Sequence, residues 1–405
     1  MNISKLNYFF TIIVLSNISF FIGANYFPDE NWNSASPESQ GIASSKVKKL
    51  IDLTFLDDAT QGVVIIKNGV IVGEKYADSH NMLSHGTSWS MAKSYYAALI
   101  GISIEKGEIQ SLDDPVVKYL DYFNDERKNI TIRDLLDMSS GLEFPDHEHE
   151  KMFFQESHLD YAKSVKYEKD PGTKFEYNNA NSMILGDILY VATNKKADIL
   201  LEERILKPIG ITDYKLWKDE MGNVLTYCCI DMSPRDYSKF GLLFARNGNW
   251  NGEQIIPKNF IDETFQVVWE TPNWWTDYKR YYSLHWWVSK YDSESKIFNT
   301  SGKFGQFTFV DRANDIVVTR VTKYTQPNYG DVQKWGPIKR LKWAGVENAI
   351  KTARRLLELG LVSEGPSVNT PKTDPEGESD IFYEKYPEVI DCLLYTSPSP
   401  RDQLQ

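Results

Sequence analysis

The sequence predicts an α+β fold: an antiparallel sheet flanked by terminal helices, with a mostly helical subdomain inserted into it. Three observations point there. Strand-forming hairpins sit in both terminal thirds, helix-period apolar patterns fill the middle, and the composition is that of a globular chain. With 405 residues, 41% of them apolar and 25% charged, the chain is long enough for a large core and too apolar for a disordered protein.

The first hairpin spans 61–74. Val63-Val64-Ile65-Ile66 and Val70-Ile71-Val72 flank Asn68-Gly69, a pair that favours a type I′ turn. The second pairs Phe307-Thr308-Phe309-Val310 with Ile316-Val317-Val318-Thr319. A helix should follow it, with Val346, Ile350, Ala353 and Leu357 on one face and Gly360 as its cap. Between the hairpins the pattern is helical at 90–106, 131–138, 181–192 and 235–247. Strands outside and helices inside imply two packed parts, the helical one over roughly 95–260, with a cleft at their junction.

The ends differ from the body. Lys5 precedes an apolar run over residues 6–24 that closes on Gly23-Ala24, which reads as a secretory signal peptide. An uncleaved N-terminal anchor is the competing reading, and it is the one route by which a membrane would be a partner. Either way the body, 25–362, is expected outside the cytoplasm, periplasmic or secreted. Residues 363–405 begin as a Pro/Ser/Thr/Glu-rich linker and end in a stretch from Cys392 with no periodic pattern, which resembles translated adapter read-through and is set outside the fold.

The formal charge of −11 and the lack of a Lys/Arg-rich run exclude a general nucleic-acid binder. Three cysteines give no disulfide framework, and the adjacent Cys228 and Cys229 do not have zinc-ligand spacing; two small buried thiols are expected there.

The chemistry-bearing motif is Ser90-Met91-Ala92-Lys93 at the start of an apolar helix. Residues three apart share a helical face, so Lys93 lies one turn from Ser90. A serine hydroxyl needs a base to become a nucleophile, and burial is what lets a lysine exchange protons near neutrality. Backbone N–H groups at the helix start would face a developing oxyanion. Alone, Ser-x-x-Lys is a weak signal that reads first as a helix cap followed by a surface lysine. Two companions change that: Tyr177-Asn178-Asn179 on a loop after Pro171-Gly172, and Thr300-Ser301-Gly302-Lys303 leading into a strand.

These three elements in this order resemble the class C β-lactamase-like serine hydrolases of the β-lactamase/transpeptidase-like superfamily, with 6-aminohexanoate-dimer hydrolases and family VIII carboxylesterases as the nearest branch. The resemblance covers about 29–361. It extends through Ser111-Leu112-Asp113-Asp114-Pro115, Arg133-Asp134-Leu135-Leu136 with Ser139-Ser140-Gly141-Leu142, Leu206-Lys207-Pro208-Ile209-Gly210, and Cys228-Cys229 before Arg235-Asp236-Tyr237. It implies Ser90 as nucleophile, Lys93 as its activating partner and Tyr177 as general base. Asn179 would bond Lys93 or the substrate, and the N–H groups of Ser90 and Lys303 would form the oxyanion hole beside Ser301 and Gly302. No cofactor and no metal are implied.

The third motif departs from the Lys-Thr-Gly of penicillin-processing enzymes, because Thr300 stands where the cation would be. The expected activity is therefore hydrolysis of small esters or linear, peptide-like amides, with little β-lactamase activity. The alternatives are a cell-wall D-amino-acid peptidase or β-lactamase of the same fold, and a non-catalytic homologue that binds peptidoglycan or a protein partner. Other clusters read as ordinary structure: His147-Glu148-His149 as a solvated acidic loop, His80 and His85 as polar surface, and Arg235-Asp236 as a structural ion pair at a helix start. The aromatic run Trp269, Trp274, Trp275, Tyr278, Tyr281, Tyr282, Trp286 and Trp287 reads as core and strand packing, with an apolar substrate wall as its alternative.

Overall fold

The computed structural model describes residues 26–28, 31–144, 152, 155–266, 269–271, 280–291, 296–323 and 380–395. The leader 1–24, His147 to His149, Trp274, Trp275, Tyr278, the helix expected at 346–360 and the linker 363–379 lie outside them. The strands are β1 (Thr60–Lys67), β2 (Val70–Tyr76), β3 (Gly86–Thr87), β4 (Lys215–Leu216), β5 (Ile230–Met232), β6 (Asn249–Trp250), β7 (Glu253–Gln254), β8 (Trp269–Thr271), β9 (Arg280–Ser283), β10 (Trp286–Tyr291), β11 (Lys296–Gly302), β12 (Gln306–Asp311) and β13 (Ile316–Thr322). The helices are α1 (Ser44–Thr54), α2 (Ala92–Glu105), α3 (Ile132–Leu136), α4 (His158–Ser164), α5 (Asn179–Thr193), α6 (Ala197–Leu201), α7 (Pro234–Ala245), α8 (Lys258–Thr264) and α9 (Asp380–Tyr395).

Eight strands form one antiparallel sheet in the order β2-β1-β13-β12-β11-β10-β9-β8. Both predicted hairpins are present. Lys67 pairs with Val70 across Asn68-Gly69, whose φ values are both positive, as a type I′ turn requires. Every residue of β1 is buried because the sheet is covered on both faces. Val64 and Ile66 join the large core under the helices, while Val63 and Ile65 join a second core on the opposite face. That double burial explains why the run is continuously apolar instead of alternating.

The helical part lies between β2 and β8 in sequence, as expected. Its central element is α2, which is buried around most of its circumference and fits the rule that an all-apolar helix sits inside a protein. Helix α7 packs on β12 and β13 through Gly241, where a Cβ would run into Thr308 and Val317. Among the described residues no helix is long and apolar enough to cross a membrane.

One expectation is corrected. Part of 363–405, expected as linker and extraneous tail, forms helix α9 over Asp380–Tyr395, packed beside α1, so only its last turn belongs to the stretch from Cys392 that was set outside the fold. Phe382, Tyr386, Val389 and Cys392 are buried in the outer core against Phe307 and Phe309. The i, i+4, i+7 stripe of 382, 386 and 389 was in the sequence, but Pro387 inside it hid the helical period. Replacing Phe382 by alanine should lower stability by about 3 kcal/mol in urea unfolding; an unchanged midpoint would remove α9 from the core.

Candidate active site

The chain enters the site through the short pairing of β3 with β5, in which Gly86 faces Met232 and Thr87 faces Asp231. Ser88 continues it by reciprocal bonds to Ile230: its N–H donates to the Ile230 carbonyl at 2.8 Å, and its hydroxyl accepts from the Ile230 N–H at 2.9 Å. The Asp231 carboxylate accepts from the Thr87 hydroxyl and, at 2.9 Å, from the indole N–H of Trp217. This pair anchors the turn that carries Ser90. Burial pushes the Asp231 carboxyl up to about 6, and the two hydrogen bonds only partly oppose it.

Ser90 lies in a 3-10 turn, Trp89–Met91, that runs into α2. The predicted single helix from Ser90 is thus two segments, yet Lys93 still faces Ser90. Lys93 is 1% exposed, and its ammonium donates to Ser90 Oγ at 3.0 Å, Asn179 Oδ1 at 2.8 Å and the Tyr227 carbonyl at 2.7 Å. An ammonium has three N–H bonds, so these three oxygens fill its donor capacity. Tyr177 stands beside it, with its ring centre 5.0 Å from Lys93 Nζ.

Asn178 caps α5 by accepting from the Ala180 N–H at 2.9 Å. Asn179 is therefore the first helical residue, not a loop residue, and a rigid helix presents its amide to Lys93. Tyr177, one residue outside the cap, packs edge-on to Tyr282 with ring centres 5.9 Å apart and lies against Trp287 at 5.5 Å.

The third motif closes the site. At the end of β11, a Cβ on Gly302 would press into the Ser88 carbonyl, so only glycine lets the strand approach the turn that carries Ser90. Thr300 and Ser301 are buried. Lys303 is exposed, with its ammonium 5.3 Å from the Phe304 ring centre; Phe304 in turn packs edge-on to Trp89 at 5.3 Å. Ser90, Lys93, Tyr177 and Asn179 are thus brought together. Ser301 and Gly302 lie along the adjoining strand, and the side chain of Lys303 turns to the rim.

Positive φ values sort by position. Asn68, Asn194, Asn247, Asn251 and Asp315 are residue types that tolerate that region. The other non-glycine cases among the described residues are Trp89, Met138, Cys229, Leu284, His285 and Phe304. Four of these are tied to the Ser90–Lys93–Tyr177 group by packing or hydrogen bonds, and Leu284 and His285 form the turn that follows Tyr282. Trp89 and Phe304 touch each other, Cys229 donates its N–H to the Trp89 carbonyl at 3.2 Å, and Met138 clusters with Tyr177, Tyr282 and Trp287.

Several expectations change here. Cys228 and Cys229 are joined as a vicinal disulfide instead of standing as two thiols; the left-handed Cys229 lets both sulfurs face one side. Arg235 and Asp236 do not pair with each other. Arg235 binds Glu74 at 2.5 Å, while Asp236 accepts from the capping Ser233 hydroxyl at 2.7 Å. His85 is mostly covered and lies 3.1 Å from Asp213. Trp286, Trp287 and Tyr282 are core residues, as the packing reading held, but Trp287 and Tyr282 also form the surface on which Tyr177 rests. The Tyr227 carbonyl was not foreseen, since a main-chain acceptor leaves no mark on residue identity. Among the described residues no cluster of three or more His, Cys, Asp or Glu side chains could hold a metal.

An antiparallel sheet with an inserted helical part, and a serine–lysine pair at their junction, defines the architecture. The family model described as Beta-lactamase matches residues 57–339, and the chain belongs to that family. Among solved structures it is similar to a Bacillus anthracis protein provisionally named a 6-aminohexanoate-dimer hydrolase, with a TM-score of 0.59 and 23% identity, over 69% of this chain and 78% of that one. It is also similar to a family VIII carboxylesterase, with a TM-score of 0.58 and 17% identity, over 75% of this chain and 97% of that one. At these identities the likeness is one of fold. A D-aminopeptidase of Brucella anthropi is 31% identical over 138 residues, which is 32% of this chain and 26% of that protein; the chain thus matches about a quarter of that relative's length.

The raised Asp231 carboxyl makes stability pH-dependent. A carboxyl with a folded value near 6 and an ordinary value of 3.8 contributes most when protonated, and that contribution fades as pH rises through 6. Urea unfolding of the wild type should therefore show a gain on going from pH 7 to pH 5, on the order of 1–2 kcal/mol from this group. Asp231→Asn should abolish that increment, and an equal pH dependence in both proteins would contradict the assignment.

Proposed function

We propose that the protein is a secreted or periplasmic serine hydrolase that cleaves small esters or linear, peptide-like amides through an acyl-enzyme on Ser90. The observation that carries this reading is the Lys93 ammonium shared among Ser90, Asn179 and the Tyr227 carbonyl, with the Tyr177 ring beside it. Lys93, with its N–H bonds turned to these oxygens, supplies charge and position, and Tyr177 serves as the base. Tyr177 takes the Ser90 proton as Oγ bonds to the substrate carbonyl carbon. As the tetrahedral adduct collapses, the bond to the alcohol or amine breaks and the Tyr177 proton passes to that leaving group. Water then attacks the acyl ester, giving its proton to Tyr177, and release of the acid returns that proton to Ser90. The N–H groups of Ser90 and Lys303 hold the oxyanion in both halves, a role worth about 10²–10³ in rate per donor.

The uncharged Thr300-Ser301-Gly302 edge disfavours substrates that need a carboxylate held there, which supports the ester and linear-amide preference over β-lactams. A D-amino-acid peptidase is the second reading, favoured by the likeness to the Brucella anthropi D-aminopeptidase.

A fluorophosphonate probe should label the wild type and spare Ser90→Ala. Tyr177→Phe should lower kcat on p-nitrophenyl butyrate by about 10²–10⁴. Equal labelling of wild type and Ser90→Ala would defeat the acyl-enzyme reading. Efficient nitrocefin turnover would overturn the substrate preference, and faster cleavage of a D-Ala-D-Ala peptide than of the ester would favour the second reading.

A further inference from the structure

The link between β9 and β10 is the two-residue turn Leu284-His285, in which both φ values are positive, 42° and 63°. Turns with that sign pattern normally use Asn and Gly, so leucine and histidine here are strained. Such strain persists where the surroundings over-determine it, and it clusters at functional sites. The surroundings do so here. The Leu284 N–H donates to Asp137 Oδ1 at 2.8 Å and the His285 N–H to the Leu136 carbonyl at 3.0 Å, both at the end of α3. The His285 carbonyl accepts from the Ser94 hydroxyl of α2 at 2.7 Å.

The His285 ring is buried between two hydroxyls. Nε2 lies 2.9 Å from Ser182 Oγ on α5, and Nδ1 lies 3.2 Å from the Tyr282 hydroxyl on β9. A phenol is the better donor of the two, which sets Nδ1 as acceptor and Nε2–H as donor to Ser182. Burial, with Lys93 close by on α2, pushes the imidazole down to about 3. It is therefore neutral at working pH and keeps one acceptor for Tyr282. The other charged or titratable groups facing this cluster are Asp137, Tyr177 and Arg280. Tyr282 meets Tyr177 edge-on, and Trp287 packs against both rings.

We infer that His285 is a positioning residue: through its bond to Tyr282 it holds the ring surface that keeps Tyr177 beside Lys93 and Ser90. The inference rests on the proposed role of Tyr177. That tyrosine lies just outside the α5 cap, on a segment without regular structure, and its contacts with Tyr282 and Trp287 contribute to holding its place. Releasing the Tyr282 ring frees Tyr177 to drift from the ammonium, which weakens the charge that favours its ionised form.

The test uses Tyr282→Phe, which deletes one hydroxyl, and His285→Asn, which suits a left-handed backbone. Both should lower kcat on p-nitrophenyl butyrate by about tenfold or more, with KM changed less than about twofold. The rise of kcat/KM with pH should move to higher pH, because Tyr177 ionises less readily away from Lys93. Wild-type kcat and profile in both variants would overturn the inference. So would a fall in kcat with an unmoved profile, since loss of stability alone produces that result. Tyr177→Phe is the control: if it stays active, the proposed function fails and takes this inference with it; if it is inactive while the two variants behave as wild type, only the inference fails.

Discussion

The structure depends on one buried charge. Lys93 sits in a helix enclosed by apolar side chains, and removing an ammonium from water is costly unless its N–H bonds are all satisfied. Its three acceptors come from the nucleophile turn, the start of α5 and the Tyr227 backbone, segments far apart in sequence. Satisfying that charge therefore dictates how these segments meet. The same bonds that make the burial tolerable assemble the group that can activate Ser90, so folding and chemistry share one constraint.

Around this charge the molecule is built in layers of decreasing regularity. The sheet is covered on both faces; α2 packs on β11 and α5 packs on α2, and these helices present Lys93 and Asn179 from regular backbone, while Ser90 comes from the 3-10 turn just before α2. Tyr177 alone comes from irregular chain, and it is the residue with the most elaborate backing, through Tyr282, Trp287 and the strained Leu284-His285 turn. Where the backbone supplies no rigidity, side-chain packing and a neutral imidazole supply it.

Much of this was legible in the sequence because it depends on local rules. Asn68-Gly69 specified its hairpin, the apolar period specified α2 and α5, and the spacing of Ser90 and Lys93 survived the change from a 3-10 turn to an α-helix. The features that were not legible depend on main-chain groups or on contacts across the fold. The Tyr227 carbonyl has no side-chain signature. The joining of Cys228 to Cys229 goes with a left-handed backbone at Cys229, which residue identity does not announce. The role of Tyr282 and His285 was hidden in an aromatic run whose packing value was plain and whose second use was not. Helix α9 was obscured by Pro387 within its stripe.

The contorted residues at the cleft also bear on how such an enzyme can change over evolutionary time. Trp89, Cys229, Leu284, His285 and Phe304 hold shapes that most replacements would not accept, so drift there is expected to be narrow. Phe175 and Trp269, which pack in the ring cluster around Tyr177, and Lys303 have unexceptional backbone and are only partly covered or exposed. On the proposed function, new substrate preferences would arise most readily at those positions, leaving the chemistry at Ser90 untouched.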